Sequence, residues 1–154
     1  MSPQRIASTV RREVWLLRDE DTVRHAVQKI IDVDVPALPV VDATGTLRGI
    51  FGEREFIGAL FPGYVTQLGY AGFVPRSLER VLEKRPICAH EPVGKYMNTD
   101  HIDVDEDHSD TQLAEIFLHH RVLIVPIVGG GRVTGIVTRE DFFRALARRF
   151  LELS

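Results

Sequence analysis

The sequence carries one unit twice. Ala37–Leu60, ALPVVDATGTLRGIFGEREFIGAL, aligns with Ile124–Leu146, IVPIVGGGRVTGIVTREDFFRAL, with Pro39 opposite Pro126 and Gly49 opposite Gly135. The second copy is one residue shorter between these landmarks, in a turn, where an indel does least harm. A duplicated supersecondary unit has an apolar face that it cannot bury alone, so the copies must pack on each other. That requirement constrains the fold more than any single motif.

Each copy reads as a hairpin followed by a helix. Apolar ALPVV and VLIVPIV are first strands, DATGT and GGGR are turns, and LRGIF and VTGIV are second strands. A Pro inside each first strand predicts an edge position or a local irregularity. Upstream, Val23, Ala26, Val27, Ile30 and Ile31 fall at helical spacing, as do Leu113, Ile116, Phe117 and, less cleanly, His120. Thr22 and Ser109 are the expected N-caps. Val14–Leu17 and His101–Val104 are short candidate strands before those helices. The unit is therefore β-α-β-β-α, an α/β (α+β) fold of two repeats. Residues 1–61 form the first repeat, 62–96 a helical insertion and 97–154 the second repeat, together one module. The insertion carries a helix over Ser77–Arg85, and Phe61, Tyr64, Tyr70 and Phe73 cluster there with Phe56 just before them. It reads either as a packing helix or lid, which is favoured, or as a partner-binding surface.

Composition removes several classes. At 154 residues, 44% hydrophobic and 27% charged, the chain has the makeup of a soluble globular protein. A formal net charge of −3 lacks the basic footprint of a general nucleic-acid binder. No apolar run is long enough to span a bilayer, and the N-terminal stretch, carrying Glu13, lacks a secretory h-region. A lone Cys88 makes no internal disulfide. The expectation is a cytoplasmic protein without membrane insertion.

The two copies differ where strand meets helix. GIVTREDF (135–142) has Thr138 and Asp141, whereas GIFGEREF (49–56) has Gly52 and Glu55. A Thr at a helix start followed by an acid three residues on is a capping box, worth on the order of 1 kcal/mol, and that reading is sufficient in itself. The same geometry suits a ligand. Unpaired N–H groups and a hydroxyl at a helix N-terminus receive phosphate, and a short carboxylate accepts from ribose hydroxyls. Arg139 or Arg132 would add charge-assisted contacts.

In this pattern, with LPVVD and G-x-L-x-G-I in the first half and VGKYM, VPIV and VTGIVTREDF in the second, the chain resembles a tandem cystathionine-β-synthase (CBS) domain pair, or Bateman module. The resemblance implies two repeats packed with pseudo-two-fold symmetry and two clefts that receive an adenine nucleotide (AMP, ADP or ATP) or S-adenosylmethionine as a regulatory ligand. It also implies no required cofactor, a homodimer of pairs, an effector protein and no catalysis. One competent cleft is expected around Thr138, Asp141 and Arg139, with adenine near His101, Ile102, Val125 and Pro126. A degenerate cleft is expected at Gly52, Arg54 and Glu55. The alternative is a ligand-free interaction module of the same fold, or a fragment of a larger enzyme or transporter.

Other patterns fail on chemistry. Asp103, Asp105 and Asp107 alternate as in a calcium loop, but His108 stands where Gly is needed and Ala114 where Glu is needed. The histidines and Cys88 lack zinc spacing. Gly129–Arg132 lies in a hairpin, not between strand and helix. No nucleophile elbow, phosphate-loop lysine or cysteine–histidine set is present, so no catalytic or metal site is expected.

Overall fold

The computed structural model describes residues 6, 11–61, 77–84 and 86–154. Two three-stranded sheets with the same strand order organise it. The first holds β1 (Leu17–Arg18), β2 (Ala37–Val41) and β3 (Leu47–Gly52), with helices α1 (Val23–Val33) and α2 (Glu53–Leu60). The second holds β4 (Val104–Asp105), β5 (Ile124–Gly129) and β6 (Arg132–Thr138), with α4 (Asp110–His119) and α5 (Arg139–Leu153). Between them lie α3 (Leu78–Lys84) and two short 3-10 turns, Pro86–His90 and Val93–Lys95. The aromatics Tyr64, Tyr70 and Phe73 lie outside the described residues.

The expected β-α-β-β-α order holds in both copies, and the expected caps form. Thr22 Oγ1 accepts from His25 N at 3.1 Å and Ser109 Oγ from Gln112 N at 3.0 Å. Both turns use left-handed glycines, at Gly45 in the first and at Gly130 and Gly131 in the second. The short strands before the first helices come later than the candidates Val14–Leu17 and His101–Val104, at Leu17–Arg18 and Val104–Asp105, where β1 and β4 pair in parallel with β2 and β5 over two residues each. Two positions expected on the apolar helical faces are exposed, while Val27, Ile30 and Ile116 are partly buried. Ile31 is exposed, having turned roughly 80° away from Val23 at 100° per residue. His120 is exposed because it leaves the helix in an extended conformation.

The prolines contradict the edge expectation, since β2 and β5 are central strands. The ladder shows why they are tolerated. Pro39 faces Ile50, and Ile50 bonds outward to Asn98 through both its N–H and its C=O. The Pro39 nitrogen therefore points to the opposite side, where β1 pairs only with Val40 and Val41. Pro126, facing Ile136, repeats the arrangement, with Ile136 bonding outward to Arg12. A register shift follows each proline, at Val40/Val41 and Ile127/Val128, which is the predicted irregularity.

Those outward bonds interlock the repeats. Asn98, leading into the second repeat, bridges β3 of the first; Arg12, leading into the first, bridges β6 of the second. Each crossing runs close beside a repeated glycine, through the Asn98 backbone at Gly49 and the Arg11 side chain at Gly135. A Cβ on Gly49 would stand 2.8 Å from Asn98 O, and one on Gly135 would stand 2.6 Å from Arg11 Nε. The cores follow the same logic. Leu17, Leu38, Val40 and Phe51 pack with Ile124 and Ile136 from the other repeat. A second cluster gathers Leu113, Phe117, Val125, Ile127, Val137 and Phe142, with the Phe117 and Phe142 rings 5.4 Å apart. Helix α3 lies beside the first repeat, where Leu82, Val23, Val27, Phe56, Leu60 and Cys88 line a groove.

Candidate functional site

The β6–α5 junction builds the first cleft. Thr138 ends the strand, is buried, and its hydroxyl accepts the Asp141 N–H at 3.1 Å. That is one half of the expected capping box. The Asp141 carboxylate turns instead to Arg12, with Nε to Oδ2 at 2.6 Å and Nη2 to Oδ1 at 3.2 Å. The same guanidinium donates through Nη1 to the Asp34 carbonyl at 2.9 Å. Arg12 thus ties α5 of the second repeat to the end of α1 in the first. Its hydrogen bonds hold the Asp141 carboxyl below the ordinary carboxylate range. Around this latch lies a cavity of about 380 Å³, lined also by Val35, Pro36, Glu53, Glu140 and Arg144. That size falls within the range of small-molecule sites.

The β3–α2 junction builds the second cleft by the same rule with different residues. Gly52 starts the helix in an extended conformation, and a Cβ there would stand 2.4 Å from Ala37 Cβ and 2.5 Å from Pro36 O. A Thr does not fit where Ala37 and Pro36 approach this closely. Glu55 supplies the other half of the capping box, accepting the Gly52 N–H at 2.9 Å. Burial pushes its carboxyl above the ordinary range, opposed by that hydrogen bond. Arg54 donates across the cleft to the Arg121 carbonyl at 2.8 Å. The remaining cavity is about 30 Å³, lined by Ile50, Asn98, His101, Val122 and Ile124 among others.

The sequence grouping of site residues changes here. His101 lines the Glu55 cleft, not the Asp141 cleft, because the segment around Asn98 crosses to the first sheet. Its Nδ1 is buried without a hydrogen-bond partner. Val125 and Pro126 lie in the buried strand β5 and line neither cleft; Ile102 is half-buried and also lines neither. Arg139 is exposed and contributes its backbone N–H to Leu123 O at 2.9 Å. Arg132 reaches the first hairpin, donating to Thr44 O at 2.6 Å, and so is not a cleft residue. The structure brings together Thr138 and Asp141, and it adds Arg12, Asp34, Glu53 and Arg144. The signal for Arg12 is present in the repeat: extended upstream, the alignment sets Arg12 opposite Asn98, and both bridge the second strand of the other copy.

Two interlocked β-α-β-β-α units, each with a cleft where its last helix begins, match a known family closely. The family model for the CBS domain matches residues 6–62 and 93–148. The chain belongs to the CBS-domain family. Solved CBS structures share the fold across nearly the whole length. The CBS-domain containing protein ATU1752 from Agrobacterium tumefaciens superposes with a TM-score of 0.68 at 20% identity, covering 92% of this chain and 95% of that one. CBSX2, solved in complex with AMP, gives 0.67 at 18% identity, covering 95% and 98%. Among sequence relatives, the uncharacterized protein MJ1404 of Methanocaldococcus jannaschii is 28% identical over 149 residues. That match takes in 96% of this CBS pair but 33% of MJ1404, so the chain spans about a third of that relative's length. YlbB of Bacillus subtilis is 27% identical over 122 residues, covering 79% of this pair and 68% of YlbB. No helix among the described residues of the pair is long and apolar enough to cross a membrane.

Proposed function

We propose that this CBS pair is a ligand-sensing regulatory module that takes an adenosine compound in the Thr138–Asp141 cleft. One observation carries the reading: a short carboxylate and a helix-starting threonine line a cavity of about 380 Å³ between the repeats. Asp141 accepts from the ribose hydroxyls once Arg12 lets go of it. The AMP complex of the CBSX2 neighbour supports the ligand class. The Gly52–Glu55 cleft, reduced to about 30 Å³ and crossed by Arg54, is the degenerate site. Regulation requires two states that the ligand binds unequally. Arg12 offers them: bound to Asp141 and Asp34 it fixes the segment before β1, and displaced it frees that segment to signal to an effector protein or to a second copy. A homodimer is part of this reading, with the exposed Phe143, Phe150 and Leu151 of α5 as apolar surface for it.

The ligand-free interaction module is the second reading. It is favoured by the satisfied state of Asp141, which has its full partner in Arg12. A thermal-shift screen with adenosine, AMP, ADP, ATP and S-adenosylmethionine separates the two. A ligand of the native state raises the melting temperature with concentration. No shift from any of them at millimolar concentration establishes the second reading.

A further inference from the structure

The charges of the cleft decide which adenosine compound it takes. This inference rests on the nucleoside reading of the Thr138–Asp141 cleft and names its ligand class. Two arginines and four acidic residues, Asp34, Glu53, Glu140 and Asp141, line the cavity. Both arginines are already engaged. Arg12 is held by Asp141 and the Asp34 carbonyl, and Arg144 Nη2 lies 2.8 Å from Glu140 Oε1. The carboxylates of Asp34 and Glu53 have no ion-pair partner among the described residues. A ribose that takes Asp141 frees one cation, yet three carboxylates remain against two arginines.

The start of α5 does not reverse this sign. Its positive end faces two acids of its own first turn, Glu140 and Asp141, and the Asp141 N–H already bonds to Thr138. A di- or triphosphate tail entering here meets an excess of negative charge. A positively charged tail meets Asp34 and Glu53. The other cleft has the opposite balance, with Arg54 and Arg121 against Glu55 alone, so the acidity belongs to this site and not to the fold.

We infer that the Thr138–Asp141 cleft selects an adenosine carrying a neutral or cationic tail, such as a sulfonium, and discriminates against adenosine phosphates. Calorimetric titration of the full chain with S-adenosylmethionine, adenosine, AMP and magnesium-free ATP tests it. At low salt, S-adenosylmethionine binds at least tenfold more tightly than AMP, and ATP is weaker still. Raising the salt narrows these ratios, because charges in an open cleft are screened. In the double variant Asp34→Asn/Glu53→Gln the ratio of S-adenosylmethionine to AMP falls at least fivefold. AMP or ATP binding as tightly as S-adenosylmethionine overturns the inference, as does a ratio that ignores both salt and the double variant. If none of the four compounds binds, the nucleoside reading itself falls and takes this inference with it.

Discussion

Replacing Arg12 with Met removes the guanidinium and leaves the backbone bridge to Ile136 in place, so the variant isolates the latch. The bond to Asp141 is bidentate and charge-assisted, a class worth about 1.5–3 kcal/mol when well shielded. Here the Arg12 side chain is 36% exposed and that of Asp141 24%, and solvent screening reduces the value to about 1–2 kcal/mol. For a chain of this size each kcal/mol corresponds to roughly 2–4 °C in Tm. The pH dependence has a definite sign. Arg12 lowers the Asp141 carboxyl below its ordinary value in the folded protein, so the stabilisation is complete above the ordinary carboxylate range. It is lost as pH falls through the depressed folded value. Urea unfolding of wild type and Arg12→Met at pH 7 and about pH 3 reads both effects. The stability gap is expected at pH 7 and shrinks at the lower pH. A gap that is absent at pH 7, or equal at the two values, refutes the latch. If ligand and latch compete for Asp141, the stability lost reappears as affinity, and Arg12→Met binds adenosine roughly 5–30-fold more tightly.

Other substitutions probe the two helix starts. Gly52→Ala forces a Cβ against Ala37 and Pro36 and is expected to cost about 1–3 kcal/mol in urea unfolding. Thr138→Ala loses the cap to Asp141 N–H and costs about 1 kcal/mol, measured in the same way. Asp34, the non-glycine residue at positive φ among those described, ends α1 in the left-handed region. Asp34→Gly keeps the carbonyl that Arg12 binds, and thermal unfolding should show a gain of up to about 1 kcal/mol.

The architecture was legible because it is periodic and doubled. Helical spacing at Val23, Ala26 and Leu113, strand-turn-strand patterning around Gly45 and Gly130, and the caps at Thr22 and Ser109 are local signals, and the fold obeys them. What escaped was non-local. Whether Pro39 tolerates a central strand depends on how far β1 reaches beside it, which no residue near Pro39 records. His101 and Arg12 exchange clefts because the segments before β1 and β4 cross to the other repeat's sheet. Gly49 and Gly135 marked those crossings in the sequence, but a glycine states only that something approaches, not which segment does. Gly52 is similar: the missing Thr reads as a lost ligand group, while the close approach of Pro36 and Ala37 supplies a packing reason for it.

Adenosine affinity by calorimetry for wild type, Asp141→Ala and Glu55→Ala, each shown to be folded by circular dichroism, bears most directly on which cleft is the sensor. Asp141→Ala is expected to weaken binding by at least tenfold, with Glu55→Ala within twofold of wild type. Equal losses in the two variants, or a larger loss in Glu55→Ala, would contradict the assignment of the ligand to the Thr138–Asp141 cleft.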